Sequence, residues 1–240
     1  MVNIEEILYT RLVLKSGVVT QKTKISEAVY HLTVTGNFSF RKMAVGQHIR
    51  ILIYPNINSR LKDRLRTYSV WKYEETDEIG VCHFAICSLT DGLGSKWIHE
   101  LEIGQEVLLS APFGKFTLQQ EATKHLFIGD VSTLAHYYFF RRQLSAEQTF
   151  DAIIYGDKPE HFFPDIDNSK PFEFHVVKEQ TVIQIINKLK VLSLDNTMIY
   201  IGGDGRLCVA LSNYLLKIRG LSKKQFKTKP FWMPGKVALE

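Results

Sequence analysis

Two short stretches of the 240-residue chain carry residue types that suit a phosphate-bearing ligand. Residues 66–69, Arg-Thr-Tyr-Ser, combine a fixed cation, a flat aromatic ring and a hydroxyl. Residues 91–97, Asp-Gly-Leu-Gly-Ser-Lys-Trp, form a glycine-rich run ahead of helical apolar spacing. A helix that opens in this way offers unpaired N–H groups to a phosphate. Together the two stretches suit a large, flat, phosphate-bearing ligand such as FAD.

Each stretch also has a purely structural interpretation. In an extended chain, a period of two puts the basic side chains before Tyr68 on the same face as its ring, namely Arg60, Lys62, Arg64 and Arg66. Such a face can be a solvated edge strand whose charges discourage aggregation. Residues 92–95 can be a simple turn in which Ser95 is the helix N-cap. At this point both interpretations stay open for each stretch.

Two patterns of secondary structure must position these residues. Up to Leu118 the chain predicts six short strands separated by turn residues, at 18–23, 28–35, 48–54, 67–73, 81–88 and 106–110. After a polar segment at 119–124, strands at 125–128, 150–155, 172–177 and 198–201 alternate with helices at 132–144, 182–192 and 207–218. We therefore expect an antiparallel β-barrel domain over residues 1–118, followed by a smaller α/β domain with a parallel sheet over residues 124–240.

Composition limits the classes of function. The net charge of +5 is spread widely, which favours anionic ligands and argues against a nucleic-acid-binding protein. The three cysteines and the histidines lack metal-ligand spacing, so we expect no metal site and reduced thiols, as in the cytoplasm. Residues 1–17 do not resemble a signal peptide, and no apolar run reaches the roughly 18 residues of a membrane helix. We expect a cytoplasmic protein without a membrane anchor.

Further motifs lie in the second half of the chain. Residues 129–135, Gly-Asp-Val-Ser-Thr-Leu-Ala, resemble a Gly-Asp-Glu-Thr-Ala-Leu-Pro turn in which Val131 replaces Glu and Ala135 replaces Pro. Residues 200–204, 219–221 and 231–235 are similar to a Trp-x-Ala-Gly-Glu segment, the end of the helix after it and a closing Tyr-Trp-x-x-Gly. With the Arg-x-Tyr-Thr/Ser motif at 66–69 and the phosphate turn at 94–97, these motifs resemble the siderophore-interacting proteins, a branch of the ferredoxin-reductase-like flavoproteins.

The resemblance implies a ferric-siderophore reductase that passes electrons from NAD(P)H through non-covalent FAD to siderophore-bound iron(III), which leaves as iron(II). It places Tyr68 against the flavin ring and Ser69 near the reactive nitrogen, as candidate catalytic residues. The residues implied to hold FAD are Arg66, Thr67, Tyr68, Ser69, His83, Ala85, Cys87, Gly94, Ser95, Lys96 and Trp232. Those implied to meet the nicotinamide donor are Asp130, Ser132, Thr133, Gly203, Asp204 and Gly205. An anionic ferric chelate needs a basic surface, for which we expect Arg60, Lys62, Arg64 and Lys236.

Two other functions fit the same motifs. A flavin-dependent reductase could pass its electrons to a redox protein such as ferredoxin, because a basic face docks an acidic protein as readily as a chelate. A non-catalytic flavin-binding or siderophore-binding protein is favoured by Val131 and Ala135, the two departures in the nicotinamide turn. The motifs do not distinguish NADH from NADPH.

Overall fold

The computed structural model describes residues 13–54, 61–77 and 79–236. The chain divides into two compact units, the first ending at Lys115 and the second beginning at Phe116. The two units are of similar length.

The first unit is a closed barrel of six antiparallel strands, as predicted. The barrel order is β1-β2-β5-β4-β3-β6, where the strands are β1 (Lys15–Lys24), β2 (Val29–Gly36), β3 (His48–Leu52), β4 (Leu65–Thr76), β5 (Ile79–Cys87) and β6 (Glu106–Leu109). Alternation along β5 shows how the barrel is filled, because Cys82, Phe84 and Ile86 are fully buried while the residues between them are half-buried. The core therefore sits inside the barrel, and every second residue faces outward.

Two helices accompany the barrel, α1 (Leu61–Arg64) and α2 (Leu93–Glu100). Helix α1 corrects the expectation of an extended basic face, because residues 61–64 form a helical turn and two-residue alternation begins only at Leu65. The turn presents carbonyl groups to other parts of the barrel: the backbone N–H of Ile53 donates to Arg64 O at 2.9 Å, and Arg66 Nη1 donates to Asp63 O at 3.0 Å. These hydrogen bonds favour the compact turn over an extended strand.

The second unit is a five-stranded parallel sheet in the order β11-β10-β7-β8-β9, as predicted in type. Its strands are β7 (Lys124–Asp130), β8 (Thr149–Gly156), β9 (Phe174–Val176), β10 (Thr197–Asp204) and β11 (Phe226–Trp232), and its helices are α3 (Leu134–Arg142), α4 (Thr181–Lys190) and α5 (Gly205–Lys217). Short 3₁₀ turns lie at Val131–Thr133, Pro159–His161 and Lys223–Gln225. Aliphatic side chains of one sheet face pack with α4 and α5, and an aromatic cluster that includes Phe127 and Tyr137 covers the other face.

Strand β11 is the element that the sequence did not predict. It contains Pro230 and two lysines, and proline removes one N–H from a ladder, which argues against a central strand. In the structure β11 pairs only with β10, at the edge of the sheet, where a proline is tolerated. The local pattern was therefore consistent with an edge strand, but only pairing with β10 makes it one.

Candidate functional site

The flavin-type motif and the glycine-rich helix start lie against each other in the barrel unit. A Cβ built on Gly94 would lie 2.9 Å from Tyr68 Oη and 3.8 Å from Arg66 Cγ. Only a residue without a side chain fits this approach without a shift of the phenol. The structure thus brings together the two stretches that the sequence singled out, although Tyr68 and Gly94 are 26 positions apart along the chain.

Helix α2 presents its first turn at this point. Gly92 is its N-cap and makes no side-chain cap bond, so Gly94 and Ser95 lie in the first turn. The alternative of Ser95 as N-cap is therefore wrong; its hydroxyl instead lies 3.2 Å from Thr90 Oγ1. The first N–H groups of a helix lack intrahelical partners, and they carry the positive end of the helix dipole. This end of α2 is suited to a phosphate.

The opposite end of α2 is held by a cation. Lys22 Nζ donates to the carbonyls of His99 at 2.8 Å and Leu101 at 2.6 Å. A positive charge at a helix C-terminus is stabilising because it complements the dipole. Lys22 on β1 therefore fixes the orientation of α2 from the end that a phosphate would not occupy.

Aromatic packing sets the position of Tyr68. Its ring stacks with that of Trp97 on α2, with centroids 6.3 Å apart and planes 24° apart. Part of the Tyr68 side chain is exposed while its hydroxyl end is enclosed, and burial raises the pKa of the phenol more than the charge of Arg66 lowers it. The phenol is therefore a protonated hydrogen-bond donor with a fixed ring plane.

Arg66 and Ser69 complete the motif on β4. Arg66 Nη1 also donates to Leu65 O at 2.8 Å, and a guanidinium has five N–H groups, so others can serve a phosphate. Ser69 is buried, with 8% of its surface exposed, and Thr67 between them is half-buried. The motif therefore offers one cation and one ring to a ligand, with Ser69 set deeper.

The three β5 residues implied to hold FAD share the outward face of the strand. His83, Ala85 and Cys87 are all half-buried, as alternation requires. His83 is already engaged, because its Nδ1 lies 3.0 Å from His31 Nε2 and its Nε2 lies 3.2 Å from Glu74 Oε2. Ala85 and Cys87 pair with His31 and Val29 on β2, while Lys96 on α2 is exposed.

The structure contradicts one of the four cations expected for the substrate surface. Arg64 is buried, with 6% of its surface exposed, so it is not part of an open cationic face. Arg60 lies outside the described residues, as does the side chain of Lys62. Lys236 is exposed in the turn that follows Trp232. Sequence alternation failed here because the run folds as a helical turn.

In the second unit, the carboxylate of Asp130 holds the carboxyl ends of three strands together. Oδ1 accepts hydrogen bonds from both the backbone N–H and the hydroxyl of Ser132, and Oδ2 accepts from the backbone N–H of Asp204 at 2.9 Å and from Trp232 Nε1 at 2.8 Å. Burial raises the pKa of Asp130, and these hydrogen bonds oppose the shift. Asp130 thus organises the edge of the sheet on which β7, β10 and β11 end.

Contacts with Asp130 explain why position 203 is a glycine and position 133 a threonine. Gly203 has φ +98°, and a Cβ there would lie 2.3 Å from Asp130 Oδ2. Thr133 is fully buried, and its hydroxyl donates to Asp130 O at 2.7 Å, so its side chain closes the turn and is not available to a ligand. The assignment of Thr133 to the nicotinamide stays a prediction, in which its backbone would make the contact.

At the same carboxyl edge of the sheet, Asp204 forms an ion pair with Arg206 at the start of α5. Asp204 accepts from Arg206 Nη2 at 2.7 Å and caps α5 by accepting from the backbone N–H of Arg206 at 2.9 Å. Ser132 is half-buried, whereas Gly205 is buried against Met233. The implied nicotinamide residues do converge on one edge, but two of them are carboxylates already used as caps.

Sequence reasoning missed three residues that the geometry brings into these sites. Trp97 supports the ring of Tyr68, Thr90 lies beside Ser95, and Tyr155 lies at the carboxyl end of β8. Trp97 stood within the predicted motif, but its role as a stacking partner depends on the barrel. Tyr155 had no local signal, since it reads as one more apolar strand residue.

Among the described residues, no group of three or more His, Cys, Asp or Glu side chains is placed to hold a metal ion. Within the same part of the chain, no helix is long and apolar enough to cross a membrane.

Comparison with known proteins defines the class of the fold. Residues 16–118 match the model of the oxidoreductase FAD-binding domain, which covers the barrel. The barrel and the parallel sheet together form a ferredoxin-reductase-like fold. The comparison with curated protein sequences gave no match.

Solved structures with the same fold include siderophore-interacting proteins. The siderophore-interacting protein SipS from Aeromonas hydrophila is 17% identical with a TM-score of 0.75, over 94% of this chain and 93% of that one. The siderophore-interacting protein from Acinetobacter baumannii is 14% identical with a TM-score of 0.76, over 94% and 91%. Phthalate dioxygenase reductase is 15% identical with a TM-score of 0.72, over 94% and 70%. The resemblance seen in the sequence is thus confirmed as a likeness of fold.

Proposed function

We propose that this protein is a cytoplasmic ferric-siderophore reductase that uses non-covalent FAD and takes its electrons from NAD(P)H. The observation that carries the proposal is the placement of Gly94, in the first turn of α2, against the hydroxyl of Tyr68 and the side chain of Arg66. A helix start, a cation and an aromatic plane in one place are what a flavin dinucleotide requires. The fold shared with siderophore-interacting proteins supports the substrate class by analogy.

The residues of the barrel fit FAD. The amides of Gly94 and Ser95 would meet a phosphate, and Arg66 would add its charge to the pyrophosphate. The ring of Tyr68, held by Trp97, would lie against the flavin, and the backbone from His83 to Cys87 would support the remainder of the cofactor. FAD, when bound, accepts two electrons together and releases them singly, which suits a one-electron acceptor such as iron(III). The protein residues bind and orient the cofactor.

We assign the flavin to residues 1–118 and the nicotinamide donor to residues 124–240. In open parallel sheets ligands bind outside the carboxyl ends of the strands, and the donor would meet Ser132 and the turn at 203–205 there. Asp130 acts in this assignment by holding the turn, since both of its oxygens accept hydrogen bonds from the chain.

The ferric siderophore would bind at the surface because such chelates are bulky and often anionic. Burial of Arg64 leaves Lys236, with Arg60 and Lys62, as the candidate cations. Reduction to iron(II) weakens the hold of hard oxygen ligands, which releases the metal. Lys236→Glu should raise the KM for an anionic ferric chelate, whereas Lys124→Glu, at the start of β7, should leave it unchanged. Equal KM values in both variants would remove Lys236 from the substrate site.

The experiment that tests the function begins with the absorbance spectrum of the full-length chain reconstituted with FAD. Anaerobic mixing with NADH and with NADPH should bleach the flavin with at least one donor, and the reduced protein should then reduce a ferric siderophore with no added carrier. A protein that cannot take up FAD contradicts the proposal at its first step. Bleaching by neither donor contradicts the nicotinamide assignment.

A flavin-dependent electron carrier is the competing function, and the same experiment separates it. Phthalate dioxygenase reductase, which shares the fold, is named for electron transfer from pyridine nucleotides to a [2Fe-2S] centre. If the reduced protein leaves a ferric siderophore unchanged but rapidly reduces an added ferredoxin, the acceptor is a redox protein.

A further inference from the structure

The C-terminal ends of α4 and α5 lie side by side in the second unit. The guanidinium of Arg219, which follows α5, donates to Leu189 O at 2.7 Å and to Leu192 O at 3.2 Å at the end of α4. Both helices connect parallel strands of one sheet, so they end at its amino edge, opposite to Asp130 and Asp204. The proposed function assigns no ligand to this edge, and the inference below is independent of it.

Two aliphatic side chains at these helix ends are open to solvent. Val191, directly after α4, is 84% exposed, and Ile218, directly after α5, is 73% exposed. They are the two most exposed large apolar side chains among the described residues. Nearby, Leu192 and Leu221 instead pack against the buried cluster of this unit. Single exposed aliphatic residues are common on protein surfaces, but here two of them lie at adjoining helix ends.

Lysines surround these two side chains. Residues 205–236 contain no Asp or Glu, and Asp195 is the one acidic residue within residues 180–203. The 3₁₀ turn before β11 lies at the same edge of the sheet, because Phe226 pairs with Ile199 near the start of β10. The residues that are exposed at this edge form what we call the helix-end surface: Lys190, Val191, Lys217, Ile218, Lys223 and Lys224. None of its lysines forms an ion pair within the described part of the chain.

Helix dipoles account for only part of the helix-end surface. A helix C-terminus favours a cation, which explains Lys190 and Lys217 in the last turns of α4 and α5. The dipole does not explain Lys223 and Lys224, which lie beyond the left-handed end of α5, nor exposed aliphatic side chains among the lysines. With Asp195 as the one carboxylate at these turns, four lysine charges remain to attract an anionic partner.

The residue types decide which anionic partner suits the helix-end surface. Protein interfaces are depleted in lysine and enriched in arginine and aromatic side chains. Nucleic acids are recognised through arginine and through aromatic rings on which bases stack. The helix-end surface contains no aromatic ring, and Arg219 beside it is used between the helices. Lysines around protruding aliphatic side chains suit an anionic lipid bilayer, where ammonium groups meet the headgroups and apolar side chains enter the acyl boundary.

We propose that the helix-end surface docks this protein reversibly on a lipid bilayer that carries anionic headgroups. Val191 and Ile218 enter the boundary between headgroups and acyl chains, and the four lysines contact lipid phosphates. This contact is peripheral and involves no membrane-spanning segment. It turns the carboxyl edge of the parallel sheet away from the bilayer, because the two edges are opposite ends of the same strands.

Cosedimentation of the full-length protein with phospholipid vesicles tests the proposal. Vesicles of phosphatidylcholine alone are compared with vesicles of an equal mixture of phosphatidylcholine and phosphatidylserine, each at low and at high sodium chloride concentration. The wild-type protein should sediment with the mixed vesicles at low salt and not with phosphatidylcholine alone. High salt should release it, because salt screens the attraction between exposed charges.

Removal of charge tests the lysines. The double variant Lys223→Gln/Lys224→Gln should weaken binding to the mixed vesicles about 30-fold, because each lysine near an anionic surface contributes about 5-fold. The matched control is Lys15→Gln/Lys24→Gln, which removes the same charge from two exposed positions on β1 of the barrel. It should leave the affinity within about 2-fold of the wild type, since net charge alone is a weak, screened attraction. All four positions are exposed, so melting temperatures should be unchanged.

Removal of apolar surface tests the aliphatic side chains separately. The double variant Val191→Ser/Ile218→Ser keeps every charge, so its binding should remain sensitive to salt. Its affinity for the mixed vesicles should fall about 15-fold, which is the effect of about two inserted CH₂ groups in total. An affinity equal to that of the wild type would mean that neither side chain enters the bilayer.

Other results would overturn the inference as a whole. Wild-type protein that sediments with neither kind of vesicle does not dock on anionic lipid. If Lys223→Gln/Lys224→Gln retains mixed-vesicle binding, or if the β1 control loses as much, the lipid is not recognised by the helix-end surface. Tighter binding to a DNA duplex than to the mixed vesicles at the same salt would assign the surface to a nucleic acid. A dimer that Val191→Ser/Ile218→Ser dissociates would assign it to a second copy of the chain.

Discussion

At the scale of single residues, Gly94 couples the helix start to the flavin-type motif. The position tolerates no side chain because Tyr68 Oη occupies the space next to it. Alanine is a better helix former than glycine. Substitution at position 94 should therefore stabilise the helix locally while it disturbs the packing against Tyr68. The effect of a methyl group at Gly94 therefore reports on the site rather than on the fold.

Gly94→Ala should weaken FAD binding. The added methyl must push the Tyr68 phenol aside, and overpacking of this kind costs about 1–3 kcal/mol, or about 5- to 150-fold in the dissociation constant. Fluorescence titration of the apoprotein with FAD measures the change. Gly92→Ala is the control, because the nearest atom to its new Cβ is the flexible Thr90 hydroxyl at 3.3 Å. Similar affinities in the two variants would show that Gly94 is not at the flavin site.

His31 gives the barrel a dependence on pH. Its Nε2 lies 3.0 Å from His83 Nδ1, its ring meets Trp71 edge-on, and 9% of it is exposed. Burial, followed by the charge of His83, lowers the pKa of His31 from 6.5 to about 4. The native state thus holds this imidazole neutral at a pH where the unfolded chain protonates it.

The stability that neutral His31 provides should be complete above pH 6.5 and be lost as the pH falls towards 4. Between these values the unfolded state binds more protons, so the free energy of unfolding falls by at most about 3 kcal/mol. Urea unfolding of the wild type and of His31→Gln at pH 4.5 and 7 checks this. His31→Gln should show a smaller loss between the two pH values, whereas His99→Gln, at an exposed histidine, should keep the loss of the wild type. An unaltered pH dependence in His31→Gln would refute this assignment.

At the scale of elements, the way in which α5 ends explains one of the sequence motifs. The Arg-Gly-Leu sequence at 219–221 follows α5, where Gly220 has φ +68° and the N–H of Leu221 donates to Leu215 O at 3.0 Å. This is a left-handed helix C-terminus, which favours glycine. Arg219 also contacts the C-terminal end of the neighbouring helix α4. Its guanidinium donates to Leu189 O at 2.7 Å and to Leu192 O at 3.2 Å. The motif therefore joins two helices.

Arg219→Met should destabilise the second unit by about 1–3 kcal/mol, because two carbonyls at the end of α4 lose a charged donor. Arg219→Lys keeps the charge but not the two-pronged geometry, so it should recover part of the loss. The midpoint of urea unfolding measures both variants. A midpoint equal to that of the wild type in Arg219→Met would mean that the cap contributes no net stability.

At the scale of the whole molecule, the barrel and the parallel sheet are separate compact units, and the proposed function assigns a different ligand to each. The barrel positions Gly94 against Tyr68, and the parallel sheet positions Asp130 against Ser132 and Asp204. Each unit has its own buried apolar cluster. A ligand of one unit should therefore stabilise mainly that unit.

FAD at 100 times its dissociation constant should stabilise the barrel by about 2.7 kcal/mol through mass action. Hydrogen exchange followed by mass spectrometry should show the largest gain in protection in peptides from β4, β5 and α2, with smaller changes in β7 to β10. NAD⁺ should reverse this distribution. Protection by FAD that is largest in the parallel sheet would contradict the assignment of the flavin to the barrel.

The chain's local pattern accounts for most of the elements. Strand alternation in the first half and β/α alternation in the second predicted both sheets, because these periods reflect which side chains are buried. The basic run failed as a strand because residues 61–64 turn to offer carbonyls to Ile53 and Arg66. Strand β11 was missed because its proline is acceptable only at an edge, and edge position is a property of the sheet.

The sequence by itself determined the flavin-type motif and the class of fold, since both depend on residue types within short segments. Only the tertiary structure decided which of those residues reach a ligand. Arg64 is buried, the Asp130 carboxylate accepts from Ser132, Asp204 and Trp232, and the Tyr155 hydroxyl has no hydrogen-bond partner among residues 13–54, 61–77 and 79–236. Each of these outcomes depends on contacts between segments far apart in the chain. Hydrogen bonding and burial across such distances have no local signal, because they exist only after the strands have paired.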